Sequence, residues 1–284
     1  MLFIRYNERD NREKHMEVDF MYQFPISYIC GWSAEALDLA VELKLNGVHV
    51  AAPVAGKAPR DMKGAKLAEY KDMLASRGLI ISAFMGDIGG YTNPEQNPAR
   101  VEEFCRIVDL GLELGTKIVT THIGIVPDDP SDAQYKIMQD ACGKISEHCG
   151  SVGAKFAVET GPELATVLKG FLDTLPKAGA GVNLDPANLT MCACDDAVGA
   201  VHTLKDYIVH THAKDGKNIK PRTATQDWEF IETPLGQGDV DFPNYLKALE
   251  EIGFRGFLAI EREIADPIAD IRLAANFLRS LLKG

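Results

Sequence analysis

Residues 208–215 of this 284-residue chain read Ile-Val-His-Thr-His-Ala-Lys-Asp, an apolar start followed by groups that could do chemistry. Side chains alternate between two faces along a β-strand, so His210, His212 and Lys214 would share one face, with Thr211 and Asp215 on the other. Burying two imidazoles and an ammonium is costly unless they serve a site. We expect His212, which lies nearer the strand's end, to bind a metal ion, and His210 to pack behind it.

Three carboxylates close other apolar runs: Glu159, Asp185 and Glu261. Such like charges would repel in a medium of low dielectric constant, and a divalent cation would remove the repulsion. The alternatives are a structural salt bridge for either glutamate and a helix cap for Asp185. Pro186 follows at once, however, and the next helix is predicted to begin later. Three carboxylates with one imidazole favour Mn²⁺, Mg²⁺ or Co²⁺, and Zn²⁺ also fits.

Three further side chains follow predicted strands and could contact a substrate. His122 could bind a substrate or orient a metal ligand, or it could pack in the core. Lys214 could neutralise a phosphate or an enediolate oxygen, or form a salt bridge to Asp215 or another neighbour. Trp32 could stack on the apolar face of a sugar, or seal the barrel.

A long connection, Lys217–Asp239, follows the strand that carries His212. Connections of this length often act as lids over a site. Gly236 and Gly238 would let the backbone approach a ligand closely, or form a plain turn into the next helix.

The elements that must position these groups alternate regularly from Pro25 onward, as eight strand–helix pairs without a linker-like break in composition. Alternation indicates parallel strands, and apolar strands indicate that both faces are covered. Eight units at this length predict one α/β domain, a single (β/α)8 TIM barrel over residues 23–284. A doubly wound open sheet is the main competitor, but its glycine-rich phosphate turn is missing after the first strand.

Bulk properties exclude some classes of function. A net charge of -11 and a pI of about 5.1 disfavour a nucleic-acid surface. The apolar runs are too short for a membrane span. Six cysteines without CxxC spacing and the lack of a signal peptide predict reduced thiols and a cytoplasmic protein. Residues 1–22 are charge-rich, carry little periodicity and are predicted to form an N-terminal extension.

Five motifs lie at or after predicted strands: Glu159-Thr160, residues 183–188 (Asn-Leu-Asp-Pro-Ala-Asn), residues 210–215, residues 234–239 (Pro-Leu-Gly-Gln-Gly-Asp) and Ala259-Ile260-Glu261. Together they resemble the xylose isomerase-like TIM barrels, and the resemblance runs from about Gln23 to the C-terminus. That group includes ketose 3-epimerases, hydroxypyruvate isomerase, inosose isomerases and dehydratases, and sugar-phosphate epimerases.

The resemblance implies one divalent metal ion held by Glu159, Asp185, His212 and Glu261. It also implies that the two glutamates exchange protons with the substrate, and that the protein is a homo-oligomer. Position 188 contacts substrate or metal in many epimerases, where it is His, so Asn188 is expected to contact the substrate here. His49 stands where an acidic residue is common in the group. These two departures leave the substrate open.

The leading functional hypothesis is a metal-dependent isomerase or epimerase of a small sugar or sugar phosphate, which works through an enediolate with glutamate acid–base catalysis. A metal-dependent lyase of the inosose dehydratase type would use the same proton abstraction and then expel water. An endonuclease-like phosphodiesterase would need several metals and a basic face, which Asn188 and the net charge disfavour. A binding subunit with a vestigial site is the fourth alternative.

Overall fold

The structure is a computed structural model that describes residues 24–52, 62–221 and 229–282. Its centre is a closed barrel of eight parallel strands. Each barrel strand pairs with its neighbour along the chain, and the last pairs with the first. The predicted (β/α)8 TIM barrel is therefore confirmed. The predicted extension, residues 1–22, lies outside the described residues.

The barrel strands are short and largely apolar. Their apolar character is expected because the barrel interior covers one face and the helical layer covers the other. They are β1 (Ile26–Cys30), β2 (Gly47–Ala51), β3 (Ile80–Met85), β4 (Ile118–Thr121), β5 (Lys155–Glu159), β6 (Ala180–Leu184), β7 (Ile208–Ala213) and β10 (Leu258–Ile260). Two more strands, β8 (Asp215–Lys220) and β9 (Glu229–Thr233), form a separate sheet.

Amphipathic helices pack around the barrel. They are α1 (Ala34–Glu42), α2 (Ala65–Ala75), α3 (Asn97–Glu113), α4 (Ala133–Val152), α5 (Ala165–Leu172), α6 (Pro186–Asn188), α7 (Ala197–Leu204), α8 (Phe242–Glu251) and α9 (Ile268–Leu282). The side chains of Ser33, Asp132, Asp196 and Asp241 accept hydrogen bonds from the first turns of α1, α4, α7 and α8. None of the helices in the described ranges combines the length and hydropathy needed to cross a membrane.

Gly179 fixes the approach of α4 to the start of β6. A Cβ atom at this position would lie 1.8 Å from the carbonyl oxygen of Ser146 and 2.7 Å from the amide nitrogen of Gly150. Both atoms belong to the backbone of α4 and cannot rotate away. The close packing of this helix on the barrel therefore requires glycine here.

The strands β8 and β9 pair antiparallel and form an arm between β7 and α8, with Asp215 opposite Thr233 at its base. The prediction of a long loop over Lys217–Asp239 was therefore wrong in large part, although residues 222–228 lie outside the description. The reason is that Asp-Gly-Lys-Asn-Ile-Lys in β8 lacks the apolar character by which the barrel strands were recognised.

Asp215 anchors the base of this arm. Its Oδ1 accepts hydrogen bonds from the amides of Gly216 (2.9 Å) and Val240 (3.2 Å), and its Oδ2 accepts from Gly236 and Gly238 (2.9 Å each). A Cβ at Gly238 would lie 2.0 Å from Asp215 Oδ1. The two glycines predicted to approach a ligand thus approach this buried carboxylate.

Candidate metal centre

The four predicted metal ligands come from neighbouring strands and lie together at the carboxyl-terminal face of the barrel. Glu159 ends β5, Asp185 follows β6, His212 lies near the end of β7 and Glu261 follows β10. His212 Nδ1 is 3.3 Å from Glu159 Oε1, 3.5 Å from Asp185 Oδ2 and 2.8 Å from Glu261 Oε2. One ligand atom from each residue lies within 4.8 Å of all the others.

These ligand atoms fit a divalent metal ion. Asp185 Oδ2, His212 Nδ1 and Glu261 Oε2 are buried and have no hydrogen-bond partner in the described part of the chain. Buried polar atoms are nearly always hydrogen-bonded, so several that face one another without partners are unusual. A cation would satisfy all of them together, and an oxygen-rich set with one imidazole suits Mn²⁺, Mg²⁺, Co²⁺ or Zn²⁺.

The charges of the cluster alter its proton affinities. Burial lowers the pKa of His212, but the carboxylates of Glu261 and Glu159 outweigh burial and raise it well above its usual value. Burial raises the pKa of Glu261, against the opposing effect of the nearby His212. The carboxylates thus favour positive charge at His212, and the same field attracts a cation.

Lys214 lies beside this cluster and is only 4% exposed. Its Nζ is 3.3 Å from Glu261 Oε2, 3.4 Å from Glu263 Oε2 and 3.9 Å from Asp185 Oδ2. Burial works against the ammonium form, but these carboxylates raise the pKa of Lys214 above its usual value. The alternative in which Lys214 pairs with a neighbour is confirmed, although its partners are these carboxylates rather than Asp215. Both oxygens of Asp215 accept backbone amides of the arm instead.

Asp185 caps a helix and faces the cluster at the same time. Its Oδ1 accepts hydrogen bonds from the amides of Ala187 (2.8 Å) and Asn188 (2.9 Å), while Oδ2 points at the other ligands. Burial alone would raise the pKa of Asp185, but Lys214 and His212 lower it to about 2. The prediction that the next helix begins later was wrong, since α6 begins at Pro186, where proline is favourable.

Two asparagines hold Glu159. Asn188 Nδ2 donates to Glu159 Oε1, and Asn183 Nδ2 donates to Glu159 Oε2, each at 3.2 Å. The structure thus places Asn188 at the site, next to a predicted catalytic glutamate. Its contact with a substrate stays a prediction.

His122 stands at the mouth of the site with its side chain 51% exposed, which rules out the alternative of a core position. Asp87, directly after β3, accepts the backbone amide of His122 (2.8 Å) and contacts its ring Nδ1 (3.2 Å). His122 Nε2 lies 3.5 Å from Glu159 Oε1. The hydrogen bond that the ring makes to the Asp87 carboxylate raises the pKa of His122 to about 9, which favours the cationic ring at neutral pH.

His49 and His210 lie within the barrel, behind His212, and are fully buried. His49 Nδ1 is 3.3 Å from His212 Nε2, and His49 Nε2 is 3.1 Å from Thr120 Oγ1. His210 supports the site as predicted, because its Nδ1 is 2.9 Å from Asn183 Oδ1. Burial lowers the pKa of both His49 and His210 well below its usual value, so both rings are uncharged.

Trp32 packs among aromatic rings at the end of β1. Its ring centroid is 4.4 Å from that of Tyr70 and 5.8 Å from that of Phe84, and its Nε1 donates to the carbonyl oxygen of Ala51. These contacts agree with the alternative in which Trp32 seals the barrel. Stacking on a sugar stays a prediction.

Sequence reasoning assigned no role to Asp87, Asn183 or Glu163. Asp87 follows an apolar strand, and this signal would have identified it. Asn183 belongs to the motif of residues 183–188. Its position inside β6 gives no sign that its amide links Glu159 of β5 to His210 of β7. Glu163, on the loop after β5, is 6% exposed, its Oε2 has no hydrogen-bond partner within the described ranges, and burial raises its pKa to about 7.

The fold and this cluster together define a TIM barrel with a candidate metal centre at the carboxyl-terminal face of its strands, the face where TIM-barrel enzymes hold their active sites. The sequence matches the family model of the xylose isomerase-like TIM barrels over residues 37–281. This match covers most of the chain, and the chain therefore belongs to the xylose isomerase-like TIM barrel family.

Comparisons with individual proteins agree. The chain is similar to the solved structure of a xylose isomerase domain protein from Planctomyces limnophilus, with a TM-score of 0.79, 26% identity, and coverage of 92% of this chain and 97% of that one. A mannonate dehydratase from Streptococcus suis shares the fold, with a TM-score of 0.71, 15% identity, and coverage of 92% and 94%.

A relative among the curated proteins is the uncharacterized protein MJ1311 from Methanocaldococcus jannaschii. It is 22% identical to this chain over 204 residues, which cover 64% of this chain and 66% of that protein. The chain thus spans just under two thirds of the length of this relative.

Proposed function

We propose that this chain is a divalent-metal-dependent isomerase or epimerase of a small keto or aldo sugar, or of its phosphate. The observation that carries the proposal is the group of three buried carboxylates and one histidine whose ligand atoms lie within 4.8 Å of one another. Two of these ligands are glutamates at opposite ends of the strand run β10-β7-β6-β5, so they reach the centre from opposite sides. That arrangement suits removal and return of a proton on a substrate held between them.

A divalent cation held there, of which Mn²⁺ is our first choice, would polarise a substrate carbonyl and stabilise the negative charge that develops beside it. Glu159, Asp185, His212 and Glu261 would be its ligands.

The two glutamates differ in how free they are to take a proton. Both oxygens of Glu159 accept amide hydrogen bonds, from Asn183 and Asn188. Among the described residues Glu261 accepts no such amide hydrogen bond. Its Oε2 lies in ion pairs with His212 Nδ1 (2.8 Å) and Lys214 Nζ (3.3 Å), and burial raises its pKa. We therefore assign removal of the proton beside the carbonyl to Glu261, and delivery on the opposite side to Glu159.

Three polar side chains around the glutamates would hold the sugar oxygens. The ammonium of Lys214 lies 3.3 Å from Glu261 Oε2, where it can balance an enediolate oxygen or a phosphate. The cationic His122 faces Glu159 from the mouth, and the amide of Asn188 reaches the same carboxylate. With Trp32 nearby on β1, these are our proposed substrate contacts.

The test is the Glu261→Gln variant, with exchange of solvent deuterium into substrate followed by NMR. A panel of ketoses, inososes and sugar phosphates is first screened with the metal-loaded wild type in D₂O. Glu261→Gln should abolish exchange into whichever substrate turns over, because an amide cannot accept the proton. Glu113→Gln, an exposed change at the end of α3, is the control and should exchange at the wild-type rate. Undiminished exchange in Glu261→Gln would refute the assignment.

A lyase reaction is the second candidate, because the Lys214 ammonium, 3.3 Å from Glu261 Oε2, is a proton donor beside the proposed base. Proton removal would be the same, followed by loss of water. A product lighter by one water would favour this reaction, and a product of unchanged mass would favour isomerisation.

A phosphodiesterase is disfavoured. Besides the four ligands, the described residues hold one other group of potential metal ligands, the buried His49, His210 and His212. That group shares His212 with the first and lies inside the barrel, where a nucleic-acid backbone could not reach it. We further propose a cytoplasmic homo-oligomer, which size-exclusion chromatography with light scattering would test.

A further inference from the structure

The ring nitrogen of His212 that points away from the carboxylates lies between a donor and a second imidazole. His212 Nε2 is 3.1 Å from the side-chain amide nitrogen of Asn183 and 3.3 Å from His49 Nδ1. All three side chains are fully buried, so bulk water does not reach them. The position of the single proton on a neutral His212 ring therefore depends on these two neighbours.

A cation at the centre needs the lone pair of His212 Nδ1, which puts the ring proton on Nε2. That proton requires an acceptor, and Asn183 Nδ2 cannot accept. The carbonyl oxygen of Asn183 is turned toward His210 Nδ1, 2.9 Å away, which fixes the orientation of the amide. Among the described residues that contact Nε2, this leaves His49 Nδ1 as the acceptor.

Thr120 prepares His49 for this role. The hydroxyl of Thr120 donates to the carbonyl oxygen of Phe84 (3.3 Å), so its oxygen is free to accept from His49 Nε2, 3.1 Å away. The proton of a neutral His49 ring then lies on Nε2, and the lone pair on Nδ1 faces His212.

We propose that His49, oriented by Thr120, is a positioning residue that keeps the ring proton of His212 on Nε2 and so leaves Nδ1 free for the metal ion. Without His49, the neighbour of Nε2 is the amide donor of Asn183, which favours the opposite tautomer with a proton on Nδ1. That proton would point into the three carboxylates and compete with the cation. The inference rests on the proposed metal function. It adds a residue, His49, that keeps His212, the one nitrogen ligand, in the tautomer that can bind the metal ion.

Two variants at position 49 separate positioning from packing. Asparagine carries an oxygen on Cγ, where histidine carries Nδ1, so His49→Asn keeps an acceptor, whereas His49→Leu fills space without one. Calorimetric titration of the metal-free proteins with Mn²⁺ should give His49→Asn an affinity close to wild type. His49→Leu should bind about 10- to 100-fold more weakly, as expected for loss of a partner behind a metal ligand. Thermal unfolding of the metal-free variants establishes that both are folded.

Two variants at Thr120 provide a second comparison, which leaves the His49 ring unchanged. Thr120→Ser keeps the hydroxyl and should bind Mn²⁺ as the wild type does, whereas the nearly isosteric Thr120→Val should bind more weakly. Histidine-selective ¹⁵N NMR of the Zn²⁺-loaded wild type should show His212 protonated at Nε2.

The outcomes are distinguishable. Equal Mn²⁺ affinity in His49→Leu and wild type would overturn the positioning role while leaving the metal proposal intact. An Nδ1 proton on His212 in the loaded protein would overturn both the positioning role and the assignment of His212 as a ligand. A wild type that binds neither Mn²⁺ nor Zn²⁺ would overturn the metal proposal itself.

Discussion

Replacing Glu163 by Gln should remove a pH-dependent loss of stability. Glu163 is 6% exposed, and its Oε2 has no hydrogen-bond partner within the described ranges. The space beside this carboxyl group is small, since a Cβ atom added at Gly161 would lie 3.3 Å from Glu163 Oε2. Burial raises its pKa from 4.5 to about 7. The folded protein therefore holds this proton more tightly than the unfolded chain does.

The sign and size follow from that difference. Below pH 4.5 both states are protonated and Glu163 costs nothing. As the pH rises toward 7, the unfolded chain releases its proton first, so the wild type loses stability until the folded state also ionises. At 1.36 kcal/mol for each pKa unit, the full cost is about 3 kcal/mol, of which about 2 kcal/mol develops between about pH 5 and 8.

The assay is urea unfolding of wild type and Glu163→Gln in the presence of EDTA across that pH range. The stability of the variant relative to the wild type should increase by about 2 kcal/mol from about pH 5 to pH 8. Glu113→Gln, with an exposed side chain, is the matched control. A Glu163→Gln curve parallel to the wild type at every pH would refute the reasoning.

Three further predictions concern the arm, the helix packing and the metal. Asp215→Ala should cost about 3–5 kcal/mol in urea unfolding, because four backbone amides lose their acceptor; a cost below about 1 kcal/mol would contradict this. Gly179→Ala should cost about 3 kcal/mol or more, whereas Gly143→Ala, which has open space, should change stability by less than about 1 kcal/mol; equal effects would count against the packing argument. Mn²⁺ at 100 times its dissociation constant should stabilise the wild type by about 3 kcal/mol, reversibly with EDTA, and an unchanged melting temperature would speak against binding.

The barrel could be predicted because the sequence pattern of each strand and each helix is local. Each barrel strand is a short apolar run followed by a helical pattern, and β5 has the bounds that the sequence predicts, Lys155–Glu159. The apolar run Lys117–Ile125 predicts a longer strand than the structure has. Strand β4 ends at Thr121, because the amide of His122 donates to Asp87 rather than to a neighbouring strand. Such a side-chain acceptor comes from another strand and leaves no periodic signal.

The candidate centre could be predicted for a similar reason, since parallel strand ends converge on one face and Glu159, Asp185 and Glu261 stand at three of them. The side chains that lie behind the centre could not be predicted from the sequence. His49 and Thr120 are separated from His212 by 163 and 92 positions respectively, and only closure of the barrel brings them together. The double role of Asp185 could not be predicted either. From the sequence, a helix cap and a metal ligand are alternatives for this residue, whereas in the structure each role uses a different carboxylate oxygen.

The arm formed by β8 and β9 leaves the barrel and returns to it at one place, since Asp215 and Thr233 stand opposite each other at its base. Both strands are also held beyond this base, because Asn218 Nδ2 donates to the carbonyl oxygen of Met191 and Glu232 pairs with Arg262. Engineers who graft a foreign hairpin here would therefore exchange its outer part and retain Asn218 and Glu232, together with the Asp215 carboxylate and the glycines around it.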